Sequence, residues 1–271
     1  MNLAVIILQR DEALHIRRCL ERLAPLNPSE VFIVDSGSTD GSMDIAREAA
    51  AALHLNLHLC SHDWPGTQAR QFNWALDNLP ISAEWILRLD ADEYLTEATV
   101  AKLAAMTTLD ADGATFELRR RFLGGEIRHG TAGIRKLRLF RRGKGRYSDS
   151  LMDERVQVKG AVVDFDGAFY DDNLHDLEWW KAKHRGYARR EAEQALSGSF
   201  PDPRKASYYR LPPYFRALAY FCLRCFLKGG FLDGIAGWRW HFWQGLWYRW
   251  LVDREIGRMG KNQTASKEVA E

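Results

Sequence analysis

The chain has 271 residues, 46% hydrophobic and 27% charged, ample for a packed core and far from the disordered class. Its length allows one large domain or a domain with a substantial appendage. A net charge of +2 gives no case for a nucleic-acid partner, and none is expected.

The chain opens on a strand pattern, Leu3–Leu8, with no basic leader ahead of a long apolar run, so no signal peptide is expected. Periodicity then predicts a helix over Glu12–Leu23, a strand at Val31–Val34, a helix over Ser42–Leu53 and a strand at Leu55–Leu59. A helix over Gln68–Leu79 and a strand at Trp85–Leu89 complete the series. Strands alternating with helices of this length imply βαβ units and a mainly parallel sheet, an α/β architecture with right-handed crossovers. Ligands in such sheets bind beyond the carboxyl ends of the strands. Three polar loops fall there: Gln9–Asp11, Asp35–Gly41 and Asp90–Glu93.

From Gly113 to Tyr170 the pattern shortens into strand-like pieces, Gly113–Arg120, Ile134–Phe140 and Val156–Phe165, with a loop at Gly143–Gly145. They read as the sheet finishing with mixed or antiparallel strands. After His175 the strand signals stop. Helices are predicted over Leu177–Leu196, Pro212–Lys228 and Phe231–Met259, with a connector at Ser197–Lys205 and a frayed end over Gly260–Glu271. The expected division is an α/β domain over 1–175 and a helical, Trp-rich extension over 176–271. Cys222 and Cys225 form one C-x-x-C inside an apolar run and read as packing, so a reduced, cytoplasmic setting is the default. A stretch of about eighteen uncharged apolar residues is absent, which argues against an ordinary transmembrane helix.

The run Trp85-Ile86-Leu87-Arg88-Leu89-Asp90-Ala91-Asp92-Glu93 carries the strongest chemical signal. A buried strand ends there in three carboxylates within four residues. Crowded carboxylates raise one another's pKa and resist burial, so a cluster delivered to a strand end suits a hard cation. Oxygen ligands at this spacing fit Mg²⁺ or Mn²⁺, which take one or two carboxylates plus substrate phosphates. The loop Val34-Asp35-Ser36-Gly37-Ser38-Thr39-Asp40-Gly41-Ser42 is small and hydrogen-bonding and leads into a helix. Neither a Walker loop nor a G-x-G-x-x-G follows the first strand, which makes a dinucleotide fold unexpected.

Taken in order, Gln9-Arg10-Asp11-Glu12, the VDSGSTDGS loop and Asp90-Ala91-Asp92-Glu93 resemble family 2 of the nucleotide-sugar glycosyltransferases, which have the GT-A fold. The resemblance covers roughly Leu3 to His175. Asp153-Glu154-Arg155, His175 with Trp179, Lys183 and Tyr187, the Gly229–Gly234 turn and the Trp-rich end resemble bacterial transferases that build lipopolysaccharide core or other surface glycans. The resemblance implies an inverting enzyme that uses Mg²⁺ or Mn²⁺ and a nucleotide-sugar donor, with UDP the expected nucleotide. Its acceptor would be a glycolipid or lipid-linked glycan.

By the same resemblance, Asp35 aligns with the acid that contacts the base, with Ser36 where the family has a second acid. Gln9, Asp11 and Glu12 stand where it has Thr-x-Asn-Glu. Asp90 and Asp92 match its D-x-D pair, one toward the ribose and one toward the metal, and Arg70 matches a basic residue near the donor. Glu154, with Asp153 second, aligns with the base that takes the acceptor hydroxyl's proton. A structural salt bridge to Arg155 or to the basic Arg141–Arg146 cluster is the plainer alternative for that acidic pair. His175 is a further metal candidate, against an ordinary structural histidine.

Arg135, Lys136, Arg138, Arg141 and Arg142 would attract an anionic acceptor or simply guard a strand edge. At the far end, Trp240, Trp243, Trp247 and Trp250 follow the spacing of one helix face, flanked by Arg239, Arg249 and Arg254. That stripe predicts a helix lying on the inner face of the cytoplasmic membrane; packing into a core is its alternative. A non-catalytic membrane-bound assembly factor and a sugar nucleotidyltransferase are the competing functions.

Overall fold

The computed structural model describes residues 1–131, 133–148, 155–198 and 203–268. Contacts gather the chain into two units, Met1–Arg120 with Gly133–Leu174, and Arg121–Ala132 with His175–Glu271.

The first unit starts with alternating elements: β1 (Leu3–Gln9), α1 (Ile16–Leu23), β2 (Glu30–Asp35), α2 (Ser42–Ala52), β3 (Leu57–Ser61), α3 (Gln68–Asn78) and β4 (Trp85–Asp90). Then come β5 (Glu93–Leu95), α4 (Glu97–Ala105) and β6 (Gly113–Phe122). The last residues of β6, with β7 (Gly125–Ile127), fall in the second unit. The first unit resumes with β8 (Arg135–Arg141), β9 (Gly145–Tyr147), β10 (Val156–Val158) and β11 (Val162–Asp172). The main sheet runs β3-β2-β1-β4-β8-β6-β11-β5. Its first four strands are parallel, whereas β8 joins β4 and β6 antiparallel, as β5 does β11.

Every residue of β1 and β2 is buried, as expected of strands covered on both faces, and this is why they read as unbroken apolar runs. Leu3, Val5, Ile7, Leu87 and Leu89 pack toward α1, α2 and α4. Ala4, Ile6, Leu8 and Ile86 pack with Phe72 and Ala75 of α3, joined by Phe140 and Tyr147. α3 and α4 are each started by a threonine: Thr67 accepts from Arg70 N and Thr96 from Thr99 N.

Two sequence expectations are corrected here. α1 begins at Ile16 rather than Glu12, because Glu12–His15 form a separate turn. Val156–Phe165 is not one strand: β10 pairs with β9 in a small second sheet, while β11 joins the main one.

The second unit contains α5 (Leu177–Ser197), α6 (Pro203–Tyr209), α7 (Phe215–Cys222), α8 (Gly234–Trp240) and α9 (Tyr248–Glu268). Asp176 caps α5 by accepting from Trp179 N, and Gly198 ends it with φ 69°. π-helical turns at Leu223–Leu227 and His241–Trp247 interrupt the two runs that periodicity reads as continuous helices. α9 extends through Glu268, past the frayed end expected from Gly260.

Its core joins Phe122, Ile127, Trp180, Ala188, Trp240, Tyr248, Leu251 and Val252, with Trp243 and Trp247 packed against them. Glu191 accepts from Tyr248 Oη (2.6 Å), Tyr209 Oη (3.0 Å) and Arg249 Nη1 (2.7 Å). Arg216 pairs with buried Asp253. No described helix is long and apolar enough to cross a membrane.

Candidate active site

The parallel strands end together, so the loops after β1, β2 and β4 share one rim of the first unit. Asp35 closes β2, buried, and both its carboxylate oxygens are engaged. Oδ2 accepts from Gly37 N (3.0 Å) and Ser38 N (2.9 Å), and Oδ1 from Ser38 Oγ (2.5 Å) and Gln9 Nε2 (3.1 Å). Gly37 adopts φ 81°, a left-handed turn that only glycine enters at no steric cost and that brings the two amides round to the carboxylate. Ser36 Oγ accepts from Gln71 Nε2 (2.9 Å).

The loop after β1 is braced against this one. Asp11 N donates to Ser38 Oγ (2.8 Å), and Asp11 Oδ1 accepts from Thr39 N (2.8 Å). Asp40 accepts from Ala13 N (2.8 Å) and Ser42 N (3.0 Å). Partial burial opposes the Asp40 charge, but these bonds outweigh it and hold the carboxyl below its ordinary pKa. Gln9 Oε1 is buried with no hydrogen-bond partner among the described residues.

At the end of β4 the acids divide into two kinds. Asp90 Oδ1 accepts from Arg88 Nη2 (2.7 Å), and Asp90 Oδ2 lies 3.9 Å from Arg138 Nη2. Glu93 is buried, pairs with Arg138 and accepts from Asp90 N (3.0 Å). Both arginines are buried, Arg138 over the Phe169 ring (4.7 Å) and Arg88 over that of Tyr147 (5.5 Å). Asp92 differs. No ion pair reaches it among the described residues, and Asn173 Nδ2 donates to its Oδ2 (3.2 Å). Burial, with Asp171, Asp90 and Glu12 adding repulsion, pushes its pKa up to about 7.

Residues that sequence reading passed over steady this acid. Asp172 N donates to Asp92 O (3.1 Å), and Asp172 itself takes Arg18 Nη1 (2.7 Å) and Tyr94 Oη (3.2 Å). Asp171 pairs with Arg120 (2.9 Å). Leu174 N donates to Nε2 of buried His15 (2.9 Å), which leaves the ring proton on Nδ1 to donate to Glu12 (2.5 Å). The signal available was the polar run Asp171-Asp172-Asn173 directly before Leu174-His175.

Arg70 is exposed in the first turn of α3. His175 opens the second unit and stacks on Trp179 (3.9 Å between centroids). Asp153 and Glu154 lie outside the described residues. Several of the basic residues have partners of their own: Arg138 has Glu93, Arg141 has Glu84, and Arg135 has Asp164 at 3.0 Å.

Among the described residues no group of three or more His, Cys, Asp or Glu side chains is placed to hold a metal. A cage built from protein ligands alone therefore does not fit this rim. A hard cation held by one carboxylate and completed by substrate phosphates does fit, because Asp92 is repelled by its neighbours and has no cation partner among the described residues.

A parallel sheet with its polar loops gathered at the carboxyl rim, completed by antiparallel strands and followed by helices, is the GT-A architecture of nucleotide-sugar glycosyltransferases. Over residues 4–162 the chain matches the profile described as glycosyl transferase family 2, and it belongs to that family; it is a glycosyltransferase. It is 27% identical over 255 residues, 88% of each chain, to the lipopolysaccharide core biosynthesis glycosyltransferase LpsC of Rhizobium meliloti (strain 1021). The fold is similar to that of the mannosyltransferase PcManGT from Pyrobaculum calidifontis, solved in complex with GDP-Man and Mn²⁺. That similarity has a TM-score of 0.50 at 17% identity and covers 94% of this chain and 86% of that one. S. aureus TarS 1-349 in complex with UDP-GlcNAc gives a TM-score of 0.47 at 16% identity, over 87% and 76%.

Proposed function

We propose that this glycosyltransferase is an inverting, metal-dependent enzyme. It moves a hexose from a nucleotide-diphosphate sugar, UDP-linked in the first instance, to a lipopolysaccharide core or other lipid-linked glycan. The work takes place at the inner face of the cytoplasmic membrane. The similarity to LpsC supports the acceptor class. The observation that carries the donor chemistry is Asp92, a rim acid crowded by other acids and unmatched by any cation among the described residues.

In this reading Asp92 is the metal-facing carboxylate, and Asp90 stays with Arg88 and faces the donor ribose. The metal would neutralise the departing diphosphate. Asp35 holds the donor loop through its four hydrogen bonds, and the unmatched Gln9 Oε1 accepts an N–H from the base. Ser36, Asp11, Glu12 and Arg70 complete the donor side. Glu154, with Asp153 second, takes the acceptor hydroxyl's proton as that oxygen bonds to the anomeric carbon and the diphosphate leaves.

The test is nucleotide release from a panel of UDP- and GDP-sugars, with Mn²⁺, Mg²⁺ or EDTA, for the wild type and Asp92→Asn. Slow, metal-dependent turnover of one donor, lost in the variant, is the expected result. Equal turnover in EDTA would remove metal from the reading, and turnover only of GDP-sugars would replace its nucleotide.

A further inference from the structure

The Trp stripe of the second unit is not its exposed apolar face. Trp240 is buried, Trp243 and Trp247 pack onto the core, and of the four only Trp250 is exposed. A different set is bare. Across the turn from the π-helical Leu223–Leu227 through Gly230–Asp233 into α8, Leu227 is 82% exposed, Ile235 72% and Leu232 61%. Phe226, Phe231 and Trp238 are each more than two-fifths exposed as well. Phe226 and Trp238 meet edge to face at 5.6 Å, so the two arms of the turn present one surface.

The turn itself is firmly built. Gly230 packs so closely on His241 that a Cβ there would lie 2.1 Å from Nε2, and Gly229 takes φ 70°. Asp233 accepts from Arg128 N and His129 N (2.8 Å each). Greasy side chains on a rigid tip are not a frayed end; a patch of this kind marks an interaction surface.

Charge selects the partner. Between Tyr209 and Trp250 the only acid is Asp233, and its side chain is 3% exposed. Lys228, within the tip, and Arg239, beside Trp238, are exposed, as is Arg210. A two-fold dimer through this face would crowd the Lys228 and Arg239 cations of both copies together, with no exposed acid in this stretch of chain to answer them. An anionic lipid surface answers both features at once, taking the apolar side chains into its acyl boundary and the cations at its phosphates.

We infer that the Leu223–Trp238 tip docks the enzyme on an anionic bilayer by shallow insertion. This deepens the membrane part of the proposed function and rests on it; the test needs neither donor nor acceptor.

Full-length protein would be co-sedimented with phosphatidylcholine vesicles containing 0 or about 40% phosphatidylglycerol. Three forms are compared: the wild type, L227S/L232S/I235S, and K228E/R239E. Binding to the anionic vesicles should weaken by at least about tenfold in the triple variant. The charge variant should lose about fivefold or more per reversed charge and its preference for anionic vesicles. Because every mutated side chain is exposed, both variants should keep the wild-type melting temperature. Unchanged binding by the triple variant overturns the proposal. So does a wild-type dimer in light scattering that the triple variant abolishes, since the face would then belong to a second copy. Donor-dependent nucleotide release, measured without vesicles, is expected to be equal in all three forms. Failure of vesicle binding therefore stays distinct from failure of the transferase chemistry.

Discussion

The rim of the sheet and the core of the helical unit both bury charge, and they neutralise it differently. In the helical unit the buried acids Glu191 and Asp253 are matched: Glu191 is shared by Arg249, Tyr209 and Tyr248, and Asp253 has Arg216. At the rim Asp90 has Arg88, Glu93 has Arg138, Asp171 has Arg120 and Asp172 has Arg18, but Asp92 has none among the described residues. A fully matched buried network is scaffolding. The unmatched acid, by contrast, is where a cation arriving with the substrate has something to gain. Paired acids that look alike in sequence thus separate into structural and chemical ones.

The largest expected effect tests the matched pairs, which should behave alike in both units. Arg138→Met strands Glu93, and Arg216→Met strands Asp253, each inside a core. Each is expected to lose about 3–5 kcal/mol of stability, and replacing the acid as well should recover most of that loss. Urea melts of the single and double variants check this. If either arginine can be removed freely, its pair is not structural and the contrast with Asp92 collapses.

Asp92→Asn should move two readouts in opposite directions. Donor turnover should fall about 10²–10³-fold, the scale for losing one stabilising contact to developing charge. Stability without metal should rise. The folded protein holds this proton to about pH 7, whereas the unfolded chain releases it near the ordinary value of 3.8. Asp92 therefore makes stability decline as pH rises from about 4 to about 7, and above that range the full penalty remains. Asn removes the penalty, so metal-free protein at pH 8 should gain about 1–3 kcal/mol. A variant less stable than the wild type in EDTA at pH 8 would place Asp92 with the scaffolding acids.

Much of this contrast was legible in the residues. The parallel strands were, because double-sided burial leaves an apolar run that ends abruptly in Asp35 or Asp90. The three rim loops followed from topology. What sequence could not supply was who pairs with whom. Arg88 precedes Asp90 on the same strand, but Arg138 is distant in the chain, and the β4–β8 neighbourhood brings it to Asp90 and Glu93. Asp35 resembles a ligand-facing acid by position, yet its oxygens are occupied by its own loop. The Trp stripe misled for a related reason. Helical spacing identifies a face but not what covers it, and the π-helical turn at His241–Trp247 shifts the register along which that face was drawn.

The smallest effect completes the comparison by reversing the pH slope. His184 sits in the helical unit, stacked on Trp180 (3.5 Å) and edge-on to Tyr248 (5.3 Å). Burial, helped by Lys183, lowers its pKa to about 4 despite the bond to Trp180 O. The unfolded chain takes up this proton first, near pH 6.5, so the stability that neutral His184 contributes is lost as pH falls from there to about 4. After allowance for solvent screening, the loss is about 1–2 kcal/mol. His184→Phe keeps an aromatic ring beside Trp180 and removes the titration. Urea melts at pH 7 and pH 4.5 should therefore differ less for this variant than for the wild type, by about that amount. The same pair of melts on Asp92→Asn in EDTA should change in the opposite sense, with the variant's advantage over the wild type growing toward neutral pH. Should both substitutions shift the slope in one direction, the two units would be titrating through a common network, and the separation of matched from unmatched charge would fail.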